Sequence, residues 1–185
     1  IATPLDLQFT AFGGPIEKGD AAPFLPAVEG GWTPAPETDL SVPGGAGAVV
    51  STPRELVTFM EALFAGKLVS QASLDKMTTI RDGFGRGLFL FPFGQKQAFG
   101  HNGGIDEFAS HASHFAADSL TLALTTNGGR YPLNQVLIDV LSIWHGLPFQ
   151  MPDFSAEKTT YPAETLESLA GHYTSPSLPI AIELR

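Results

Sequence analysis

The chain has 185 residues, enough for one domain or for one domain and part of another. At that length about 70% of the unfolded surface can be buried, so a true core is within reach. A net charge of −9 argues against binding nucleic acid, whose phosphates demand a basic patch, and against an anionic membrane surface, while the lack of cysteine excludes disulfides and thiolate metal sites.

No apolar run approaches the roughly 20 residues that span a bilayer, and no signal peptide opens the chain. The sequence begins Ile1-Ala2-Thr3 without methionine and closes inside the alternating run Pro179–Arg185. Both ends therefore read as internal to a longer sequence, and missing targeting signals carry no weight.

Residues 1–48 are rich in Pro and Gly and carry no long apolar pattern. They read as irregular, one large excursion packed against something else. A stretch of that length is uncommon in a compact domain unless it is functional. Gly44-Gly45-Ala46-Gly47-Ala48 is a tight glycine-rich turn. A phosphate cradle is the alternative there, but no strand precedes it and no Lys-Ser/Thr follows, and a P-loop needs both.

Thr52-Pro53-Arg54-Glu55 has the form of a capping box, with proline at the first helical position. Leu56, Phe59, Met60, Leu63 and Phe64 follow at helical spacing, and Gly66 ends the helix. A second short helix is predicted from Gln71 to Ile80, capped by Ser70, with Leu74 and Met77 facing inward. The period then changes. Gly85–Phe91 reads as a strand, as does the stretch running into Gly100-His101. Phe108–Phe115 alternates loosely and Leu120–Thr125 cleanly. Short turns between these runs predict antiparallel pairing. Leu133, Val136, Leu137, Val140, Leu141 and Trp144 mark a further helix that would cover one face of the sheet and close at Gly146. Residues 148–162 carry three prolines and read as a linker. A small helix over Glu164–Ala170 and strand-like residues from Gly171 then begin a second unit. The fold class is α+β, an antiparallel sheet with flanking helices.

Ala98-Phe99-Gly100-His101-Asn102-Gly103-Gly104 is the most unusual stretch. Glycine at a strand edge lets a ligand or another backbone come close. An exposed backbone N–H there could stabilise an oxyanion, and the histidine could transfer a proton or meet a carboxylate. The alternative is a hairpin turn with Asn-Gly at its tip. Asp106-Glu107, just beyond, either positions His101 or is solvated; solvation is expected.

Ser73-Leu74-Asp75-Lys76 and Ser155-Ala156-Glu157-Lys158 both fit Ser-x-x-Lys, the pattern of a lysine-activated serine. A catalytic lysine of this kind must be desolvated to lose its proton. The helix around Ser73 has Gln71, Asp75 and Lys76 on a polar side, where Asp75 would keep Lys76 protonated. Ser155 lies in the proline-rich linker. Both serines read as structural or solvated. His111 and His114 would share a face on a helix and could bind zinc there; on a strand they point apart. Strand is expected, so no metal is assigned. Phe89, Phe91 and Phe93 read as packing residues. His145 and His172 have no visible partners.

The order of these pieces resembles the C-terminal half of the serine hydrolases related to class C β-lactamases and penicillin-binding DD-peptidases. The pieces are the glycine-rich turn, "STPREL" and its helix, "GKLVSQASLDKM", "GFGRGL", "GHNGG", the hairpin ending "TTNGG", and the last helix. The resemblance covers about residues 42–146. In that family a Ser-Thr-x-x-Asp-Leu segment opens a helix, and a His-x-Gly or Lys-Thr-Gly motif lies on the strand bordering the active site. Residues 164–185 resemble the start of the small β-rich domain that often follows.

The resemblance implies roles. His101-Asn102-Gly103 matches His-x-Gly, with His101 in the place of the motif's basic residue. Asn102 stands where β-lactamases have a hydroxyl. Gly104 follows, where family members offer a backbone N–H to the oxyanion. His101 and Gly104 are thus implied as catalytic, with Asn102 and Gly103 contacting substrate. The family's Ser-x-x-Lys helix and Tyr-x-Asn loop are expected upstream. Neither occurs before residue 42, and Tyr131, Tyr161 and Tyr173 come too late.

The expected arrangement has residues 1–147 as the C-terminal part of the hydrolase domain. Residues 148–162 form the linker and 163–185 the start of a small β-rich domain. The implied reaction is acyl transfer to a serine outside this chain, then hydrolysis, on an amide, ester or β-lactam of small-molecule or peptide substrates. No cofactor is implied. Alone, the chain would be a poor catalyst or none. Alternatives are a binding module for peptide or carboxylate, or a homologue that has lost catalysis and keeps the sheet as a partner surface. Strand edges left open by the missing part could drive self-association. The compartment is not fixed by the sequence; an exported or periplasmic location is implied by the resemblance alone.

Overall fold

The computed structural model describes residues 1–13, 19–27, 30–129, 131–151, 161–175 and 178–184. The chain divides into two compact units, Ile1–Phe149 and Gln150–Arg185. The first contains α1 (Ala2–Leu5), β1 (Ala11–Phe12), β2 (Phe24–Pro26), β3 (Trp32–Pro34), β4 (Val49–Val50), α2 (Pro53–Phe64) and α3 (Gln71–Thr78). It continues with β5 (Phe89–Phe93), β6 (Lys96–Ile105), β7 (Phe108–Phe115), β8 (Leu120–Thr126) and α4 (Leu133–Trp144). Among the described residues no helix is long and apolar enough to cross a membrane.

The helices end where local chemistry dictates. The Thr52 hydroxyl accepts from the Glu55 N–H at 3.3 Å and caps α2. At the far end Gly66 takes φ 72°, while Gly66 N donates to Leu63 O and Lys67 N to Ala62 O, which closes a Schellman motif. α4 ends the same way, with Gly146 at φ 64° and Leu147 N donating to Ser142 O. Ser70 caps α3 by accepting from Ser73 N.

β5, β6, β7 and β8 form one antiparallel sheet in that order. Alternation sends neighbouring residues to different cores. Ala98 joins Phe115 and Leu141 of α4, with Phe91, Phe93, Leu120 and Leu122 around them. Phe99 instead packs against Leu63, Leu74 and Leu88, on the face covered by α2 and α3. The sheet is therefore covered by helices on both sides. At Gly100 the strands come very close: a Cβ there would lie 2.0 Å from Ala112 O and 2.6 Å from Ser113 Cα. Ser113 itself is fully buried.

Several expectations change. The strand predicted from Gly85 begins at Phe89. Before it, Arg81 and Phe84 close a tight hairpin with both backbone hydrogen bonds, and Asp82 and Gly83 both have positive φ, as a type I′ turn requires. Among the described residues of 1–48, most are irregular but three short strands occur; β1 pairs with β4 and β2 with β3. His145 has partners after all. It stacks on Phe93, and its Nε2 lies 3.9 Å from Asp118 Oδ2, while Lys96 Nζ holds the other Asp118 oxygen at 2.5 Å.

The second unit contains α5 (Ala163–Ser168) and an antiparallel hairpin of β9 (Gly171–Ser175) and β10 (Leu178–Leu184), whose register shifts between Leu178 and Ala181. His172 lies 3.8 Å from the Glu183 carboxylate across it.

Glu55 does more than begin a helix. Its buried carboxylate accepts from Gln8 N at 2.6 Å, from Phe9 N at 2.9 Å and from the Thr10 hydroxyl at 2.5 Å. It thereby ties the N-terminal segment to the body of the fold, a role that the capping-box pattern alone does not reveal. Burial opposes its ionisation, but the bonds from Thr10, Phe9 and Gln8 outweigh burial and hold its pKa below the ordinary 4.5. The folded state thus gains from the ionised carboxylate at any pH above 4.5, and the gain is lost as pH falls through the lowered value. Glu55→Gln should lower the urea midpoint at pH 7, and the gap from wild type should shrink below pH 4.5. A gap unchanged down to pH 3 would contradict this role.

Candidate active site

The candidate site is built on β6. Over Lys96–Gly100 this strand pairs with β5 and from Phe99 onward with β7, so Phe99 and Gly100 are paired on both sides. The β5 pairing stops at Phe89↔Gly100. β7 continues alone, pairing His101 with Ala112, Asn102 with His111, Gly103 with Ser110, Gly104 with Ala109 and Ile105 with Phe108. Along His101–Ile105, among the described residues, no strand pairs with the outer edge. The chain turns at Asp106-Glu107, with Asp106 at φ 46°. The alternative of a hairpin tip at Asn102-Gly103 is therefore overturned: pairing with β7 carries the strand straight through it.

His101, Asn102, Gly103 and Gly104 stand in consecutive strand positions and are all exposed. His101 shares the face of Phe99, the α2 side; Asn102 and Gly104 belong to the other. The His101 ring lies against Phe89, centroids 4.2 Å apart. Its Nδ1 meets the Asn102 carbonyl. A carbonyl only accepts, so Nδ1 carries the proton and Nε2 keeps a free lone pair in the neutral ring. At Gly103 a Cβ would fall 2.8 Å from Ser110 Oγ, whereas at Gly104 nothing comes nearer than 3.9 Å.

Loops wall this end of the sheet. Asp106 is neither free in solvent nor directed at His101: its carboxylate accepts from Thr38 N at 2.8 Å and from the Thr38 hydroxyl at 2.7 Å. A Cβ on Gly47 would be 3.7 Å from Ile105 Cδ1, so the glycine-rich turn sits beside the strand's end. That turn is no phosphate cradle. Ala46 N, Gly47 N and Ala48 N all donate to carbonyls of the turn itself. The β2–β3 hairpin is fixed to the end of β8, with Phe24 N donating to Asn127 O and Asn127 Nδ2 to Ala22 O.

The serine candidates do not join this site. Ser73 is exposed on α3, its hydroxyl 3.1 Å from that of Ser70. Lys76 is exposed too, so nothing desolvates its amine. Asp75 takes the Gln71 amide at 2.8 Å instead of pairing with Lys76, which corrects the expected contact. The motif at Ser155–Lys158 lies outside the described residues.

His111 and His114 face opposite sides of the sheet. His111 is buried at the edge of the Phe91 ring, its Nε2 2.8 Å from Ser113 Oγ. His114 stacks on Phe64 of α2 and meets the Thr121 hydroxyl. Burial lowers the pKa of His114, and the charge of Glu61 partly opposes this. Among the described residues, no group of three His, Asp or Glu side chains could hold a metal. Burial pushes His111 down to about 4 from 6.5. The unfolded chain therefore takes up a proton here between pH 6.5 and 4 that the folded chain refuses, so this site costs stability as pH falls through that window. An NMR titration should give the His111 ring a midpoint near 4; a midpoint near 6.5 would mean that the ring is solvated.

The chain matches the Beta-lactamase family over residues 1–141. A D-stereospecific amidohydrolase from Streptomyces sp. superposes with a TM-score of 0.66 at 25% identity, over 76% of this chain and 45% of that one. A D-amino acid amidase from Ochrobactrum anthropi, complexed with L-phenylalanine amide, gives 0.56 at 28%, over 70% and 42%. The octameric penicillin-binding protein homologue from Pyrococcus abyssi gives 0.66 at 20%, over 99% and 43%, and shows the fold alone. The chain spans less than half the length of each of these relatives. By its matched residues and its α+β fold, the chain belongs to the Beta-lactamase family.

Proposed function

We propose that this chain forms one wall of the active site of a serine hydrolase that cleaves amides or β-lactams, with esters as further substrates. The observation that supports this most is the open edge of β6. Beyond Gly100 the strand offers backbone donors and acceptors beside a histidine whose Nε2 is free. An acyl group laid along that edge would be held by main-chain hydrogen bonds, with Asn102 and Gly103 contacting it. The Gly104 N–H would donate to the carbonyl oxygen as it gains charge, an effect worth about 10²–10³ in rate per donor. His101 would accept a proton at Nε2 or, once protonated, donate to the substrate.

The nucleophile in this reading is a serine of the longer protein outside the present chain. Its oxygen bonds to the acyl carbon, the C–N bond breaks, and the amine leaves with a proton. Water then cleaves the acyl-serine ester and regenerates the hydroxyl. Ser73 is not that serine, since neither it nor Lys76 is desolvated. Residues 1–147 would belong to the hydrolase domain and 163–185 to the start of a small β-rich one.

A fluorophosphonate probe tests this by intact mass and adduct mapping. The present chain should stay unlabelled, while a longer chain carrying the preceding sequence should be labelled at an upstream serine. In that longer chain His101→Ala should lower kcat/KM by about 10²–10⁴. An adduct on Ser73 would overturn the assignment. If both chains stay unlabelled, the same edge serves a binding module that holds peptide or carboxylate without turnover.

A further inference from the structure

We infer that the cleft between α3 and the Arg81–Arg86 turn is a carboxylate-recognition site serving the neighbouring His101 edge, selecting substrates with a free carboxylate over neutral ones. The inference rests on the acyl-transfer reading for its connection to catalysis, though not for the binding itself.

The cleft has a volume of about 440 Å³ and is lined by Lys76, Thr79, Arg81, Phe84, Gly85 and Arg86. The chain has only 10 lysines and arginines against 19 acidic residues, and three of those cations meet here. Among the described residues none of the three is in a salt bridge. No carboxylate is among the residues that line the cleft. A helix C-terminus favours a cation, and this accounts for Lys76. It does not account for two arginines on the facing turn.

The frame is rigid. Arg81 and Phe84 are locked by two backbone hydrogen bonds across the Asp82-Gly83 turn. Arg86 N donates to Met77 O at 3.0 Å, and a Cβ on Gly85 would lie 2.2 Å from that same oxygen. The turn is thus pressed onto the end of α3, and the basic side chains emerge from fixed points. Guanidinium groups match the two oxygens of a carboxylate in a way that water or an amide cannot reproduce.

The cleft is also next to the site. Phe84, which lines it and is 60% exposed, packs edge-on against Phe89 at 5.3 Å. Phe89 packs against His101 at 4.2 Å. A substrate whose acyl group lies along β6 would reach the cations by passing over these two rings. Its apolar part would rest on Phe84 while its carboxylate met the arginines.

The test compares N-acetylphenylalanine with its neutral amide, binding to the 185-residue chain followed by NMR shifts. At about 0.01 M salt, where screening is weak, the acid should bind about tenfold tighter than the amide. About 1 M salt should remove that preference, and so should Arg81→Gln combined with Arg86→Gln. Equal affinities, no binding of either ligand, or a preference that survives the double substitution would overturn the inference. So would inorganic phosphate binding as tightly as the acid, because the cleft would then be a site for free anions. No serine is needed for any of these readouts, so their failure is distinct from failure of the probe to label an upstream serine.

Discussion

At Gly100 the backbones of β6 and β7 approach so closely that one methyl group would strike the Ala112 carbonyl oxygen. Only glycine allows that contact, and the contact fixes which residue faces which. A slip of one position would exchange Ala98 and Phe99 between two different cores, one under α4 and one under α2 and α3. The same register carries His101, Asn102, Gly103 and Gly104 along β7 and past the last residue of β5. The open edge is thus a consequence of core packing a few residues earlier, and its position cannot drift while the core is intact.

The long irregular segment before α2 is held by polar side chains that reach out from the regular elements. Glu55 holds the backbone at Gln8 and Phe9, Asp106 holds Thr38, and Asn127 joins the β2–β3 hairpin. Each meets backbone donors or acceptors that an irregular segment cannot pair within itself. These ties bring loops to the end of the sheet where the candidate site lies. A mobile loop there would not shape a substrate; a tethered one can.

Much of the fold was legible because its signals are local. The cap at Thr52, the glycines at 66 and 146, and the alternation over Leu120–Thr125 each follow from a few adjacent residues. The less legible features depend on residues far apart. Asn102-Gly103 has the composition of a turn, yet pairing with β7 makes it strand, and the chain turns at Asp106-Glu107. Glu55 and Asp106 each reach a partner more than forty residues away, which no local pattern encodes. Asp82-Gly83 is different: it is an ordinary type I′ signal, and the strand expected from Gly85 obscured it. The site motif was found through the family pattern. The Phe89 contact and the basic cleft beside it came only from the fold.

The central claim is that β6 remains a strand beyond Gly100 with its outer edge unpaired. Residue-resolved amide hydrogen exchange reads this directly. The amides of Phe99 and Gly100 should both be slow, because both sides of the strand are paired there. From His101 to Ile105 the pattern should alternate, with amides facing β7 slow and those on the open edge fast. Uniform protection through Ile105 would mean that the edge is covered. Uniformly fast exchange would mean that the segment is a loop, and either result would remove the basis for placing a substrate there.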